Sequence, residues 1–217
     1  MQHDAVLFDL DGTLLDTLED LAESVNVMLR SRGFVPHPVD AYRYFVGEGA
    51  ILLITRALPE EHRDEQTISA ALQDFQDAYR DRWYTKTTPY EGIPEMLDEL
   101  DARGVKKAVL SNKPHRFTVQ CVDSLLPEWT FDVVFGQREG VPRKPDPTVA
   151  LEVAARLGLA PDRVLYVGDS SIDMKTARAA GMVAVGVSWG FRPRAELLEN
   201  GAQFIIDRPE ELIDLLG

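Results

Sequence analysis

From Pro89 onward, short apolar runs alternate with segments of helical pattern. Most of the helical segments begin beside a proline, and several end just before a glycine, which are preferred positions for these residues. Strands rich in Val, Leu and Ile that alternate with helices predict a parallel sheet covered by helices on both faces. Ligands of such sheets bind beyond the carboxyl ends of the strands. The predicted strands cover residues 105–110, 131–135, 164–167, 183–187 and 204–206.

An earlier apolar run, residues 5–8, ends in two aspartates, Asp9 and Asp11. Side chains alternate along a strand, so continued extension puts both carboxylates on one face, and Gly12 then turns the chain. Two carboxylates so close raise each other's pKa unless a cation lies between them. The pattern therefore predicts a divalent metal at the end of a buried strand.

Residues 16–88 have helical periodicity and no strand pattern. The simplest account is an α/β domain of residues 1–15 and 89–217, with residues 16–88 inserted as a helical cap after its first strand. Within the cap, Gly47 and Gly49 flank Glu48. These glycines either let backbone amides approach a ligand or form a turn with no ligand.

Two further groups of polar residues follow predicted strands or lead into helices. Ser111 and Asn112 follow the strand at 105–110 and could donate to phosphoryl oxygens, although Ser111 could equally cap the next helix. Lys144 precedes Pro145, which stiffens the segment, and its ammonium could neutralise a phosphoryl group or remain a solvated loop lysine.

A second acidic pair follows the strand at 164–167. Asp169 is suited to Mg²⁺, which prefers oxygen ligands. Asp173 could orient a metal-bound water or cap the following helix. Ser170 is expected to support this loop without binding the metal directly.

These residues together resemble the four motifs of haloacid dehalogenase-like (HAD) hydrolases, which are mostly aspartate-based phosphatases. The matching segments are Asp9-Leu10-Asp11-Gly12-Thr13, Ser111, Lys144-Pro145 and Gly168-Asp169-Ser170-Ser171-Ile172-Asp173. The resemblance implies a Rossmann-like core whose principal strands lie in the order fifth, fourth, first, second, third.

The resemblance also implies a role for each matching residue. Asp9 would be the nucleophile and Asp11 the general acid and base. Ser111 and Lys144 would bind the phosphoryl group. Mg²⁺ would be bound by Asp9, the backbone carbonyl of Asp11, and Asp169.

Residues 16–29 and 45–50 resemble the small helical cap of phosphoglycolate phosphatases. This implies a Mg²⁺-dependent hydrolase of a small phosphate monoester, with 2-phosphoglycolate favoured. A cap cation, either Arg43 or Arg56, would meet an anionic substrate. The alternatives are a sugar-phosphate mutase or a pyrophosphatase of the same superfamily, or a phospho-accepting signalling receiver.

The composition limits the partners of the protein. A formal net charge of −13 and a pI near 4.7 argue against nucleic acid and anionic membranes. Cys121 is the single cysteine, so no disulfide within the chain is expected. The sequence has no apolar run as long as a membrane span and no signal-peptide pattern, and a cytoplasmic location is expected. The partner is expected to be a small phosphorylated metabolite; the sequence does not indicate an oligomeric state.

Overall fold

The computed structural model describes residues 3–217, and in this part of the chain six parallel strands form the main sheet while two short antiparallel strands form a ribbon. The strands are β1 (Ala5–Phe8), β2 (Leu15–Asp16), β3 (Thr88–Pro89), β4 (Lys106–Pro114), β5 (Val133–Gln137), β6 (Val164–Gly168), β7 (Val183–Val187) and β8 (Phe204–Ile206). The helices are α1 (Leu18–Ser31), α2 (Ala50–Ala57), α3 (Glu65–Arg80), α4 (Ile93–Ala102), α5 (His115–Leu125), α6 (Thr148–Leu157), α7 (Ser171–Ala179) and α8 (Arg194–Glu199). Short 3₁₀ segments cover Val39–Tyr44, Glu60–His62, Pro161–Arg163 and Pro209–Leu216.

The main sheet has the order β5-β4-β1-β6-β7-β8, with every neighbouring pair parallel. β1 is central, and its last residue, Phe8, lies opposite Val109 of β4 and Val167 of β6. The predicted fold class and strand order are confirmed, with β8 added at one edge. The carboxyl end of β1 therefore lies between the ends of the two strands that lead to Ser111 and Asp169.

β1 is fully buried because helices cover both faces of the sheet. Val6 and Phe8 pack into the cluster that includes α4, α5 and the helical segment after β2. Ala5 and Leu7 face the opposite cluster, which α6, α7 and α8 complete. This two-residue alternation fixes the direction in which Asp9 leaves the strand.

The segment between β2 and β3 is helical, and α1, α2 and α3 pack against one another. Its apolar residues join the cluster on one face of the sheet. The prediction of no strand between residues 16 and 88 missed the ribbon, whose strands are too short to give a periodic pattern. Beside the ribbon, the buried Asp20 carboxylate accepts hydrogen bonds from the backbone N–H groups of Lys86 and Thr87.

Two predicted boundaries need correction. β4 continues to Pro114, so Ser111 lies within the strand and does not cap the helix, which begins at His115. α7 begins at Ser171, so Asp173 lies in its first turn. Among residues 3–217, no helix has both the length and the apolar content needed to cross a lipid bilayer.

Candidate active site

A cavity of about 60 Å³ lies between the carboxyl ends of the strands and the helical segment. Six of the predicted site residues line it: Asp9, Asp11, Ser111, Asn112, Gly47 and Gly49. Its remaining wall is mostly apolar and includes side chains of α1, α2, α3 and α5. The fold thus brings together residues that are far apart in the sequence.

Asp9 leaves the end of β1 and meets two other aspartates. Oxygen atoms of Asp9, Asp169 and Asp173 all lie within 4.8 Å of one another, and the three residues are buried. Gly12 makes room for this cluster, because a Cβ on Gly12 would lie 2.8 Å from Cγ of Asp169. The backbone N–H of Phe191 donates to Asp169 at 2.7 Å and orients that carboxylate.

Burial and mutual repulsion change the proton affinity of these carboxylates. Burial, followed by the charge of Asp173, raises the pKa of Asp9 to about 7, although Lys144 opposes this. Burial and the charge of Asp173 also raise the pKa of Asp169 well above its ordinary value. A divalent cation bound at the cluster would offset the repulsion between the carboxylates and so lower their pKa values.

Lys144 is the cation of this cluster. Its ammonium lies 2.9 Å from Asp9 and 2.7 Å from Asp173, and only 2% of its side chain is exposed. Burial alone would lower the pKa of Lys144, but the neighbouring carboxylates of Asp173 and Asp9 hold it well above the ordinary value. The alternative of a solvated loop lysine is therefore wrong.

Asp173 has two structural roles. One carboxylate oxygen accepts hydrogen bonds from the backbone N–H and the hydroxyl of Ser170, at 3.2 Å and 2.6 Å, and so stabilises the start of α7. The other oxygen accepts from Lys144. Ser170 thus supports the loop through Asp173, and the two carboxylate oxygens of Asp173 join α7 to the lysine.

The donor set of this cluster fits a hard divalent cation. Buried carboxylates are the ligands that Mg²⁺ and similar ions prefer, and the three carboxylates converge on one point. The carboxylate of Asp11 is not part of this group. It turns instead towards Lys113, whose ammonium donates to it at 2.8 Å.

Lys113 is the site residue that the sequence analysis missed. Its side chain is 4% exposed, and it lines the cavity. Burial alone would lower its pKa, but the charge of Asp11, the hydrogen bond to it and smaller contributions from Tyr79 and Cys121 together hold the pKa of Lys113 well above the ordinary value. The available signal was its position two residues after Ser111 in an extended segment, where alternate side chains share a face.

Asn112 joins the helical segment to the loop of Lys144. The side-chain oxygen of Asn112 accepts a hydrogen bond from the backbone N–H of Lys144 at 3.0 Å. Its side-chain nitrogen donates to the backbone carbonyls of Lys144 and Gly47, both at 3.1 Å. The backbone carbonyls of the residues on either side of Gly47 also accept hydrogen bonds, from two arginines that lie outside the helical segment. Arg192 donates to the carbonyl of Val46, and Arg143 donates to that of Glu48, each at 3.2 Å.

The two arginines expected to meet the substrate do not line the cavity. Arg43 donates to the carbonyl of Gly190 at 3.2 Å, and Arg56 forms an ion pair with Glu48. The contact of Arg43 joins the helical segment to the loop after β7, whereas the contact of Arg56 lies within the helical segment. Of the described residues that line the cavity, Lys113 alone carries a cationic side chain.

Comparisons with known proteins agree with this geometry. A family model described as haloacid dehalogenase-like hydrolase matches residues 6–187. Phosphoglycolate phosphatase 1 of Pseudomonas aeruginosa is 35% identical over 212 residues, which is 96% of this chain and 78% of that protein. N-acetylmuramic acid 6-phosphate phosphatase of the same organism is 34% identical, covering 100% of this chain and 96% of that protein.

A solved structure from Lactobacillus delbrueckii subsp. bulgaricus, described as a candidate phosphoglycolate phosphatase, has a TM-score of 0.93. It is 33% identical, and the match covers 100% of this chain and 99% of that chain. The match extends over both the sheet and the helical segment, and the predicted resemblance is confirmed. The chain belongs to the haloacid dehalogenase-like hydrolase family.

Proposed function

We propose that this protein is a Mg²⁺-dependent phosphatase that hydrolyses a small phosphate monoester, with 2-phosphoglycolate as the favoured substrate, through an aspartyl-phosphate on Asp9. The observation that carries the proposal is the convergence of an aspartate cluster, a buried lysine and a serine at the ends of adjacent strands. The similarity to enzymes named as phosphatases supports the same reaction class.

In the first step, a carboxylate oxygen of Asp9 attacks phosphorus, and the bond between phosphorus and the leaving oxygen breaks. Asp11, two residues further along, donates a proton to that oxygen as the alcohol departs. Ser111 and Lys144 donate hydrogen bonds to the phosphoryl oxygens. Lys144 already lies at hydrogen-bonding distance from Asp9, so its charge is close to the reacting atoms.

In the second step, water attacks the phosphorus of the aspartyl-phosphate, and Asp11 accepts its proton. The bond between phosphorus and Asp9 breaks, which releases phosphate and restores the carboxylate. Asp9, Asp169 and the carbonyl of Asp11 are the proposed metal ligands, with Asp173 and Ser170 in support. Bound Mg²⁺ would supply charge stabilisation for the phosphoryl oxygens.

The size of the cavity favours a small leaving group. Its volume of about 60 Å³ leaves little room for a large leaving group while the helical segment lies over the sheet. Glycolate is much smaller than an N-acetylated amino sugar acid, the substrate class named for one relative. The closed arrangement thus favours 2-phosphoglycolate over N-acetylmuramic acid 6-phosphate as the substrate.

We also propose the domain division expected from the sequence, with residues 1–15 and 89–217 as the core and residues 16–88 as a cap. The ribbon of β2 and β3 lies at this boundary and would act as the hinge. Gly47 and Gly49 have positive φ angles of 107° and 92°, so the cap loop brings its backbone to the cavity without side chains in the way. Closure over the site would exclude water from the reacting groups.

The test is phosphate release from a panel of esters with and without Mg²⁺: 2-phosphoglycolate, hexose phosphates, pyrophosphate and N-acetylmuramic acid 6-phosphate. The proposal expects metal-dependent turnover with the highest kcat/KM for 2-phosphoglycolate. Release only from pyrophosphate would favour the pyrophosphatase alternative. Transfer of the phosphoryl group within a sugar would favour the mutase, and a long-lived phosphoprotein without turnover would favour the receiver.

A further inference from the structure

The cavity is lined by two polar groups, on Lys113 and Tyr79, that have no role in the proposed reaction steps. The Lys113 ammonium has three N–H donors and makes one hydrogen bond in the described structure, to Asp11. The Tyr79 hydroxyl, on α3 of the cap segment, is buried and has no hydrogen-bond partner among the described residues. Both residues line the cavity, and the ammonium lies 4.9 Å from the centroid of the Tyr79 ring.

The Tyr79 ring is held in place by two other aromatic rings. Phe75 stacks on it with centroids 5.5 Å apart, and Phe117 of the core meets it edge-on at 5.1 Å. The hydroxyl thus cannot easily turn away to find a partner elsewhere. A buried polar group without a partner costs free energy, which a bound ligand would recover.

The remaining wall of the cavity shows what kind of ligand suits these groups. Most of its side chains, those of Leu21, Val46, Leu53, Phe75 and Phe117, offer no hydrogen bonds, and Gln76 adds one polar group. A polyhydroxylated sugar would leave most of its hydroxyl groups without partners against such a wall. A short group with one anionic end would place its charge on Lys113 and its apolar part against the wall.

We propose that Lys113 and Tyr79 bind a carboxylate on the leaving group of the substrate. This carboxylate is attached to the carbon that bears the departing oxygen. This assignment rests on the proposed phosphatase function and adds the residues that select the leaving group. The short spacing follows from geometry. Asp11, the proposed proton donor to the leaving oxygen, is itself 2.8 Å from the Lys113 ammonium. A carboxylate attached to the carbon that bears the leaving oxygen can therefore reach the lysine.

The test compares 2-phosphoglycolate with ethyl phosphate, which has the same ester carbon but no carboxylate. For Lys113→Met, we expect the ratio of kcat/KM for 2-phosphoglycolate to that for ethyl phosphate to fall about 10- to 100-fold, because a hydrogen bond to a charged group is lost. For Tyr79→Phe, which keeps the ring contacts, the same ratio should fall about 5- to 10-fold.

Tyr84→Phe is the matched control, because it makes the same chemical change at a cap tyrosine that is 57% exposed and does not line the cavity. Its ratio should equal that of the wild type. Binding to an Asp9→Asn background, measured by calorimetry with Mg²⁺ present, gives a second readout without turnover. There, 2-phosphoglycolate should bind more tightly than ethyl phosphate, and either substitution should reduce the difference.

The outcomes separate this assignment from the proposed function. If the wild type releases phosphate from both esters but neither substitution changes the ratio, the assignment is overturned and the phosphatase function stands. If both esters are hydrolysed equally well by the wild type, the assignment is also overturned. If the wild type releases phosphate from neither ester and from no other monoester, both are overturned.

Discussion

The ammonium of Lys144 lies 2.9 Å from the carboxylate of Asp9, although most of the chain separates the two residues in sequence. The contact is buried, with 2% of the lysine side chain and 10% of the aspartate side chain exposed. Such a pair has little screening from solvent. The lysine therefore balances part of the charge of the aspartate cluster in the absence of a metal.

Replacing this lysine should destabilise the protein and slow the reaction. In Lys144→Met, the carboxylates of Asp9 and Asp173 lose their cation, so we expect the free energy of unfolding to fall by about 3 kcal/mol at pH 8 without metal. The value of kcat should fall at least about 100-fold, because the charge next to the phosphoryl group is lost. Urea denaturation and phosphate release measure the two effects.

Lys175→Met is the control, because that lysine lies on α7 close to the cluster in sequence and is exposed. Its free energy of unfolding and kcat should match those of the wild type. A Lys144→Met protein as stable and as active as the control would contradict the role of the buried pair.

The contribution of Asp9 to the stability of the metal-free protein should fall as the pH rises from 3.8, the ordinary pKa of an aspartate, towards about 7, the raised pKa of Asp9. In this range the folded state keeps a proton on Asp9 that the unfolded state has released, so unfolding becomes more favourable with each pH unit. Thermal denaturation of the metal-free wild type and of Asp9→Asn at a series of pH values isolates this contribution. A stability contribution from Asp9 that increases with pH over this range would contradict the raised pKa.

Metal binding should have the opposite dependence on pH. A divalent ion must displace the proton from Asp9, so its apparent affinity should rise up to about tenfold per pH unit below pH 7 and then level off. The shift in Tm caused by Mg²⁺ should therefore be larger at pH 8 than at pH 5.5. An equal shift at both pH values would mean that binding releases no proton.

Asn112→Ala should affect catalysis differently from Arg143→Ala. Asn112 holds both backbone groups of Lys144 as well as the carbonyl of Gly47, whereas Arg143 donates a hydrogen bond to the carbonyl of Glu48 in the cap loop. We expect Asn112→Ala to lower kcat about tenfold or more, since the lysine loses its support. Arg143→Ala should mainly raise KM, because closure of the cap is weakened. Steady-state kinetics with 2-phosphoglycolate measures kcat and KM for both variants. If both substitutions raised KM equally and left kcat unchanged, the proposed support of Lys144 by Asn112 would be contradicted.

Tyr79→Phe should stabilise the ligand-free protein. The hydroxyl is buried without a partner, so its removal should raise the free energy of unfolding by about 1 kcal/mol. Tyr84→Phe, at an exposed position, should change it by less than about 0.5 kcal/mol. Destabilisation by Tyr79→Phe in urea denaturation would mean that the hydroxyl has a partner in the folded protein.

The sequence predicted the sheet and the aspartates at its centre because these features depend on local pattern. Residues 5–8 are all apolar, and a short continuous apolar run between polar residues indicates a strand buried on both faces. The carboxyl-end rule then placed Asp9 and Asp169 at the same edge of the sheet.

The cap contacts could not be predicted in the same way. The sequence does not predict the role of Lys113, because a lysine at a strand end is usually solvated and its burial depends on Tyr79 of α3 lying over it. Arg43 and Arg56 have the right charge but are turned away by acceptors that only the folded chain provides, the carbonyl of Gly190 and the carboxylate of Glu48. The packing of the helical segment on the sheet domain decides the contacts of Lys113 and Arg43, and no local sequence period records it.

The most direct test of the central claim locates the phosphoryl group on the protein during turnover. The enzyme is mixed with 2-phosphoglycolate and Mg²⁺, quenched in acid within milliseconds, and treated with borohydride, which reduces an aspartyl-phosphate to homoserine. Peptide mass spectrometry should find homoserine at position 9 only when substrate and metal are both present, and never in Asp9→Asn. Rapid phosphate release with Asp9 left unreduced, or with homoserine at another aspartate, would contradict the assignment of Asp9 as the nucleophile.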